Sequence, residues 1–497
     1  MNSYKITQHR TVRMFLVVLF AFVISSCDED FLNTSPITSI SSDNAFDTPE
    51  RILNQVYGLY SSAKSGNLLG GRFIVTQELR ADEFLMNKPN VQTGQLTWTQ
   101  SVSSSTQEVT SVWSAGFATI NRINVFLTGL ETNKDKVSDA IYANYVAEAK
   151  FLRAYCYFAL VQLYARPYAE NNGVSPGLPL RLQAENSAAN NDLERSTVAE
   201  IYNRIISDLN DAETSLPLTY STTVLNSTRA HRNTAIALKT RVYLVKGEYA
   251  NVVTEASKIA VGTTTFQAPS GVANRLEAVV TNVFTGSYTG PESILTFPFS
   301  TLDVPGGQNG AMAYYFTFTP GNAEYYLNRS ATATASDPVF ATTSTDARKA
   351  FVVQQPATTG FYWMSKFKIA STYNDYIPTI RYAEILLNYA EAAARQGNLP
   401  LATNLLNAVR KRSNAAYVFP GSSITTQSAL INTILQERKI ELLGEGFRTL
   451  DLQRLLLPLP GKVAAAASAG SVPVSAVNYV WPVSAAELAS NKLAVPN

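Results

Sequence analysis

Apolar residues recur along much of this chain at spacings that alternate between four and three, the mark of helices that bury one face. The clearest stripe is Tyr145, Ala149, Leu152, Cys156, Ala159 and Leu163. The same periodicity predicts helices over residues 49–62, 112–130, 142–165 and 197–216. A fifth block, 229–246, turns at Gly247 into 249–260, and 379–395 turns at Gly397 into 400–413 in the same way. Helix, Gly-centred turn, helix is the unit that hairpin repeats such as tetratricopeptide repeats require. Compact residues fall at matching positions where the paired helices approach: Thr240 and Ala390 before the turn, Val252 and Ala402 after it.

Between the two units, over residues 262–377, the period is lost. Gly, Ser, Thr and Pro break up short β-like runs such as 294–299 and 360–369. Residues 284–376 hold 18 aromatics and 11 charged residues, a loop-rich region with rings in excess of what a core of that size needs. The last stretch, 458–497, is low in charge and has no long helical period, so it reads as a packed extended tail.

The amino terminus carries different information. Lys5, Arg10 and Arg13 precede the apolar run 14–24, then Ser25, Ser26 and Cys27. That is an export signal, and the run is too short to span a membrane. Small residues followed by Cys resemble the bacterial lipobox, in which the thiol is diacylated and the chain is cut just before it. Cleavage after residue 26 leaves 471 residues with 37 basic against 38 acidic groups, so the slight basicity of the whole chain belongs to the signal. Two acyl chains suffice for stable anchoring, at about 0.8 kcal/mol per buried methylene. Asp28, Glu29 and Asp30 resemble a surface-export signal; by charge alone they also fit a solvated tether, which continues through the Ser/Thr/Pro-rich stretch 33–42.

Composition then removes whole classes. With 497 residues, 46% apolar, the chain is neither a disulfide scaffold nor disordered. If Cys27 is acylated, Cys156 is the remaining thiol, and its place on the stripe makes it a small core residue. A balanced charge excludes a broad basic nucleic-acid surface. His9 leaves with the signal, so a triad or an imidazole metal site would depend on His231, which sits beside Arg229 and Arg232 and reads as structural. There is no Gly-x-Ser-x-Gly elbow, Gly-x-Gly-x-x-Gly loop or Walker sequence. A two-carboxylate glycosidase is not excluded by composition, yet carboxylates such as Glu437, Glu441 and Glu445 lie among Arg438 and Lys439, as solvated or paired helix faces do.

Four strings are informative together. Ala147-Glu148-Ala149-Lys150-Phe151-Leu152-Arg153-Ala154-Tyr155 resembles a hallmark helix of the SusD/RagB family. So do Arg381-Tyr382-Ala383-Glu384-Ile385-Leu386-Leu387-Asn388-Tyr389-Ala390-Glu391-Ala392 and Leu406-Asn407-Ala408-Val409-Arg410-Lys411-Arg412. Glu437-Arg438-Lys439-Ile440-Glu441-Leu442 through Glu445-Gly446-Phe447-Arg448 and Asp451-Leu452 is similar to that family's carboxy-terminal signature. Trp481-Pro482-Val483 resembles its closing motif in a looser form. The resemblance covers nearly all of the mature chain. It implies a mainly α, tetratricopeptide-like scaffold of about four helix pairs with a loop-rich, partly β insert. The implied layout is a signal at 1–26, a tether at 27–45, helical regions at 46–261 and 378–497, and the insert at 262–377 as the ligand-binding half. It further implies an outer-membrane lipoprotein facing the cell exterior. Such a protein captures nutrient oligomers, usually glycans, for a SusC-type TonB-dependent transporter and does not cleave them. Arg381, Glu384, Arg410 and Arg448 read as scaffold that pairs across helices.

A sugar offers apolar faces edged with hydroxyls, so its site needs exposed rings and polar rim groups. Two regions supply both: Arg80, Asp82, Asn87 and Trp98 in a polar stretch between the first two helical blocks, and Tyr288, Tyr314, Tyr315, Tyr325, Tyr326 and Trp363 in the insert. No catalytic residue, resident metal, cofactor or nucleic acid is predicted; scattered carboxylates neither require nor exclude a structural calcium. Some members of the family serve peptide uptake, which leaves a peptide ligand open. A helical adaptor that binds only proteins would have no use for the aromatic insert, and a surface hydrolase lacks a nucleophile or metal constellation.

Overall fold

The computed structural model describes residues 44–306, 310–318, 322–329, 338–355, 360–369 and 372–497. Cys27 and residues 1–43 lie outside them. Contacts divide the chain after Ile52. Up to that point, Arg51 pairs with Asp47 at 2.9 Å at the start of α1 (Pro49–Ala63); everything from Leu53 onward forms the second unit.

Every helical block expected from the periodicity is a helix. The helices are, in order, α1, α2 (Arg72–Leu79), which the periodicity does not mark, then after the short strand β1 (Phe84–Met86) α3 (Gln107–Thr132), α4 (Asp139–Tyr164), α5 (Val198–Ser215), α6 (Arg232–Lys246) and α7 (Tyr249–Ile259). The irregular region contributes β2 (Ser293–Phe297), α8 (Met312–Phe316), β3 (Tyr325–Leu327), β4 (Val352–Gln354), β5 (Tyr362–Met364) and β6 (Ile377–Arg381). The helices resume with α9 (Tyr382–Arg395), α10 (Leu399–Ser413), α11 (Gln427–Glu441) and α12 (Arg448–Arg454). The helix starts carry the expected chemistry: Ser138, Asn398 and Thr426 accept from a first-turn amide, and Thr197 with Glu200 forms a reciprocal capping box.

From α3 to α7 each helix packs on the next, α7 packs on α9, and α9 and α10 pack on each other and on α11. The stack is therefore continuous through α7 and α9, and the irregular region leaves and re-enters at that junction. Both helical hairpins turn as the glycines require. Gly247 (φ +76°) and Gly397 (φ +82°) are left-handed, and the amides of Gly247 and Glu248 return to Leu244 O and Tyr243 O, those of Gly397 and Asn398 to Ala394 O and Ala393 O. This closing turn satisfies the last carbonyls of the first helix. Thr240, Ala390, Val252 and Ala402 are all fully buried at the approach.

The stripe on α4 understates its burial. From Phe151 to Tyr164 every residue is buried, because α3 and α5 cover opposite sides of it. Its polar residues must then find partners inside. Glu148 takes Arg229 Nε at 2.9 Å and Tyr60 Oη at 2.7 Å, and Arg153 binds Asp208 at 2.8 and 2.9 Å and Asn124 at 2.9 Å. Cys156 is fully buried on the same helix, and burial pushes its thiol up to about 12.

One expectation needs correction. The block beginning at 379 starts as a strand: β6 pairs antiparallel with β2, Ile377 opposite Phe297 and Arg381 opposite Ser293. Pro378 disfavours helix for the residue before it, and α9 begins only after Arg381. Of the two readings of the 437–445 carboxylates, solvated or paired, the paired one holds. Arg381 binds Glu292 and Glu441 at 2.7 Å and Glu445 at 2.6 Å; Arg348 binds Asp346, Glu437 and Glu441; Arg410 binds Glu437 at 3.0 Å; Lys366 binds Glu445 at 2.6 Å. All nine side chains are buried. The basic neighbours outweigh the penalty of burial and hold Glu441 well below the usual carboxylate range. The tail is largely extended as expected, with a short helix, Ala485–Ser490, and Trp481 N donates to Leu163 O at 2.7 Å.

Candidate ligand-binding site

Two segments far apart in sequence meet at a small sheet. β1 pairs antiparallel with β3, Phe84 opposite Leu327, Leu85 opposite Tyr326 and Met86 opposite Tyr325, and β5 packs beside β3. Side chains alternate along a strand. Tyr325 therefore points inward, fully buried, with its hydroxyl donating to Thr93 O at 2.9 Å and its ring parallel to that of Tyr315. Tyr326 points the other way and is half-buried.

On that outer side the rings gather. Tyr326 stacks on Phe361 with centroids 4.4 Å apart and planes at 25°. Trp363 stands edge-on to both, at 6.0 and 6.2 Å. Phe318 lies 5.8 Å from Trp363, tilted by 33°, and is 40% exposed. Trp363 itself is buried, yet among the described residues its indole N–H has no acceptor. An unmet buried donor costs about 1–3 kcal/mol, and a ligand hydroxyl is the kind of group that would satisfy it. Four rings at contact distance, one of them open to solvent, form a platform for an apolar face.

A polar rim borders the same sheet. Asn87 Nδ2 donates to Ala323 O at 2.8 Å, Lys88 Nζ to Asn322 O at 2.7 Å, and Asn90 and Asn322 both to Glu324 Oε1, at 3.1 and 2.6 Å. Burial raises the Glu324 carboxyl above its ordinary value despite these donors. Tyr314 completes the edge, half-buried and edge-on to Tyr373 at 5.7 Å.

The residues expected to bind therefore divide. Asn87, Tyr314 and Tyr326 reach the surface of this region. Tyr288 is half-buried, paired edge-on with Tyr376 at 5.9 Å in a separate small pocket. Trp363 forms the floor of the platform. Arg80, Asp82, Trp98, Tyr315 and Tyr325 are inside the core, which corrects the reading of them as exposed binding groups. The reason is local. All of α2 and the segment after it through Met86 is buried, and the expected groups take partners inside: Arg80 Nη2 donates to Tyr479 O at 2.6 Å, Asp82 Oδ1 accepts from Arg448 Nε at 3.0 Å, and the nearby Trp98 Nε1 donates to Phe84 O at 2.8 Å. Phe318 and Phe361 escaped the sequence reading; the alternation through 361–363, beside a Tyr pair in a second strand, was the available signal. Among the described residues no cluster of His, Cys, Asp or Glu could hold a metal ion, and no helix is long and apolar enough to cross a membrane.

Residues 30–244 match a family model described as SusD-like, starch-binding and associating with the outer membrane; residues 274–476 match the SusD family model. A SusD superfamily protein of Bacteroides fragilis has a crystal structure that superposes with a TM-score of 0.80 at 30% identity, covering 90% of this chain and 99% of that one. A SusD-like protein of Formosa agariphila is 24% identical over 484 residues, 88% of this chain and 90% of the relative. A structure described as a laminarin-binding SusD-like protein superposes with a TM-score of 0.70 at 21% identity, over 90% of this chain and 99% of that one.

Proposed function

Because this chain belongs to the SusD/RagB family, a carbohydrate-binding and outer-membrane-associated group, we propose that it captures glycan oligomers on the platform of Phe318, Tyr326, Phe361 and Trp363. The observation that carries this reading is the exposed Phe318 ring beside a stacked pair and a buried indole N–H that lacks an acceptor among the described residues. Apolar sugar faces stack on the rings, and hydroxyls reach the indole and the Asn87 and Tyr314 rim. A laminarin-binding neighbour of the same fold supports a glucan as the first ligand to test. In this reading the protein binds without cleaving, is anchored in the outer membrane through an acylated Cys27 facing the cell exterior, and hands its ligand to a SusC-type TonB-dependent transporter.

Titration of laminarin oligosaccharides into the purified protein tests the platform. Each of Phe318→Ala and Tyr326→Ala is expected to weaken binding by about 1–2 kcal/mol, roughly 5- to 30-fold, with the melting curve unchanged. Equal affinity in the doubly substituted protein rules out the platform, and shortened oligosaccharides after incubation rule out a purely binding role.

A further inference from the structure

On another part of the molecule, the hairpin formed by Val261–Gly262 and Phe266–Gln267 and the loop carrying Arg275 and Glu277 face α10 across an open groove of about 490 Å³. That volume is within the range of small-ligand sites, roughly 300–1,000 Å³. By comparison, the cavity beneath Phe447 holds about 20 Å³, room for a single water. The groove shares no residue with the aromatic platform.

Its walls are mixed, with Phe266, Leu276, Ala278 and Ala408 among the lining, and the fold leaves most of the polar side chains idle. Asn404, Asn407 and Lys411 follow one another at i, i+3 and i+7 on a single face of α10. Opposite them stand three consecutive hydroxyls, Thr263, Thr264 and Thr265. Among the described residues none of these six side chains has a hydrogen-bonding or ionic partner, whereas Arg410 and Arg412 of the same helix pair with buried carboxylates. Arg412, one position on, binds Glu292 at 2.8 Å and Glu441, so its charge is cancelled from within. Arg275 is exposed and makes one long contact, 3.4 Å, to Ala273 O of its own loop. Glu277 is the single carboxylate of the lining. It is shared with the neighbouring pocket, where its charge adds to the upward shift of Tyr376 and Oε2 lies 3.2 Å from the position a Cβ on Gly290 would take. Two uncommitted cations, two amides and three hydroxyls around one concave surface match a ligand that is rich in hydroxyls and negatively charged.

We propose that this groove is a second glycan-binding site, selective for an anionic oligosaccharide, with Lys411 and Arg275 meeting its acidic groups and Asn404, Asn407 and the threonines its hydroxyls. The proposal rests on reading the protein as a glycan binder and adds a site and a ligand class to it. The amides and hydroxyls are arranged for a sugar ring. The cations add a salt-dependent selection between charged and neutral chains.

Calorimetric titration separates the two sites with three probes: a laminarin oligosaccharide, which is neutral, an oligogalacturonate, which carries carboxylates, and a carrageenan oligosaccharide, which carries sulfates. The double variant Asn407→Ala/Lys411→Ala is expected to lose tenfold or more of its affinity for at least one acidic probe, and to keep its affinity for laminarin. The variant Phe318→Ala/Tyr326→Ala is expected to do the reverse. Wild-type binding of the acidic probe should weaken as salt is raised. Unchanged acidic-probe binding in the groove variant, or no acidic-probe binding by the wild type, overturns the second site while laminarin binding leaves the first intact. If none of the three probes binds, the glycan-binding reading falls with it.

Discussion

Lys462 holds its ammonium 4.8 Å from the centre of the Trp98 ring and donates to Leu79 O, where burial lowers its pKa to about 7. In the unfolded chain a lysine titrates near 10.5, so between those values the unfolded state binds the proton more readily and stability falls as pH drops from about 10.5 to 7. Lys462→Met removes that penalty; its melting temperature relative to wild type should be higher at pH 6 than at pH 9, measured by circular dichroism. The ring beneath it is equally committed. Trp98→Ala opens a cavity in the core and is expected to cost about 3–5 kcal/mol by denaturant titration, unlike the substitutions at Phe318 and Tyr326. This contrast sets how far single residues could be read from sequence. A Trp in a polar stretch looks like a binding ring, yet Trp98 is turned inward with its N–H on Phe84 O, while the pairing of β1 with the distant β3 sets Tyr326 outward. His231 shows the opposite case. Its structural role was readable from its basic surroundings, but the main cause of its lowered pKa, about 4, is burial, which sequence does not display.

Among the elements, the two Gly-centred hairpins were legible because backbone geometry is a local matter. A Cβ on Gly247 or Gly397 would meet nothing within 4 Å, so the cost of replacing either glycine lies in the left-handed backbone alone. Gly247→Ala and Gly397→Ala should each destabilise by about 1–2 kcal/mol, with no change in ligand affinity, as read by chemical denaturation and titration. The strands of the insert were less legible. Three-residue strands such as β1, β3 and β5 carry too few alternations to announce a face, and their partners come from outside the local window. β6 looked like the first turn of α9 because Thr379, Ile380 and Arg381 run straight into a strong helical period, and it took the Glu292 carbonyl, which accepts from Tyr382 N, to fix where the strand stops.

For the molecule as a whole, the feature least visible in the sequence is the buried ionic cluster that joins the insert to the last helices. Arg348 and Lys366 come from the insert, Glu437 and Glu441 from α11, and Arg381 and Arg412 from the start and end of the second helical hairpin. Removing one anion strands several cations in the interior, so Glu441→Ala should cost about 3–5 kcal/mol, measured by denaturant unfolding, and should loosen the insert before the helical stack. Amide exchange that accelerates over 347–355 and 360–367 ahead of α4 would report this order. The cluster also bears on how such a protein can change over generations. Because α7 and α9 touch directly, the insert is a cassette whose two ends are already held together. An incoming cassette is nevertheless not free in sequence: it must supply counter-ions for Glu437, Glu441 and Glu445 at the points where Arg348 and Lys366 now stand. The rim can therefore vary while two basic residues at the root act as the key by which the scaffold accepts a new insert.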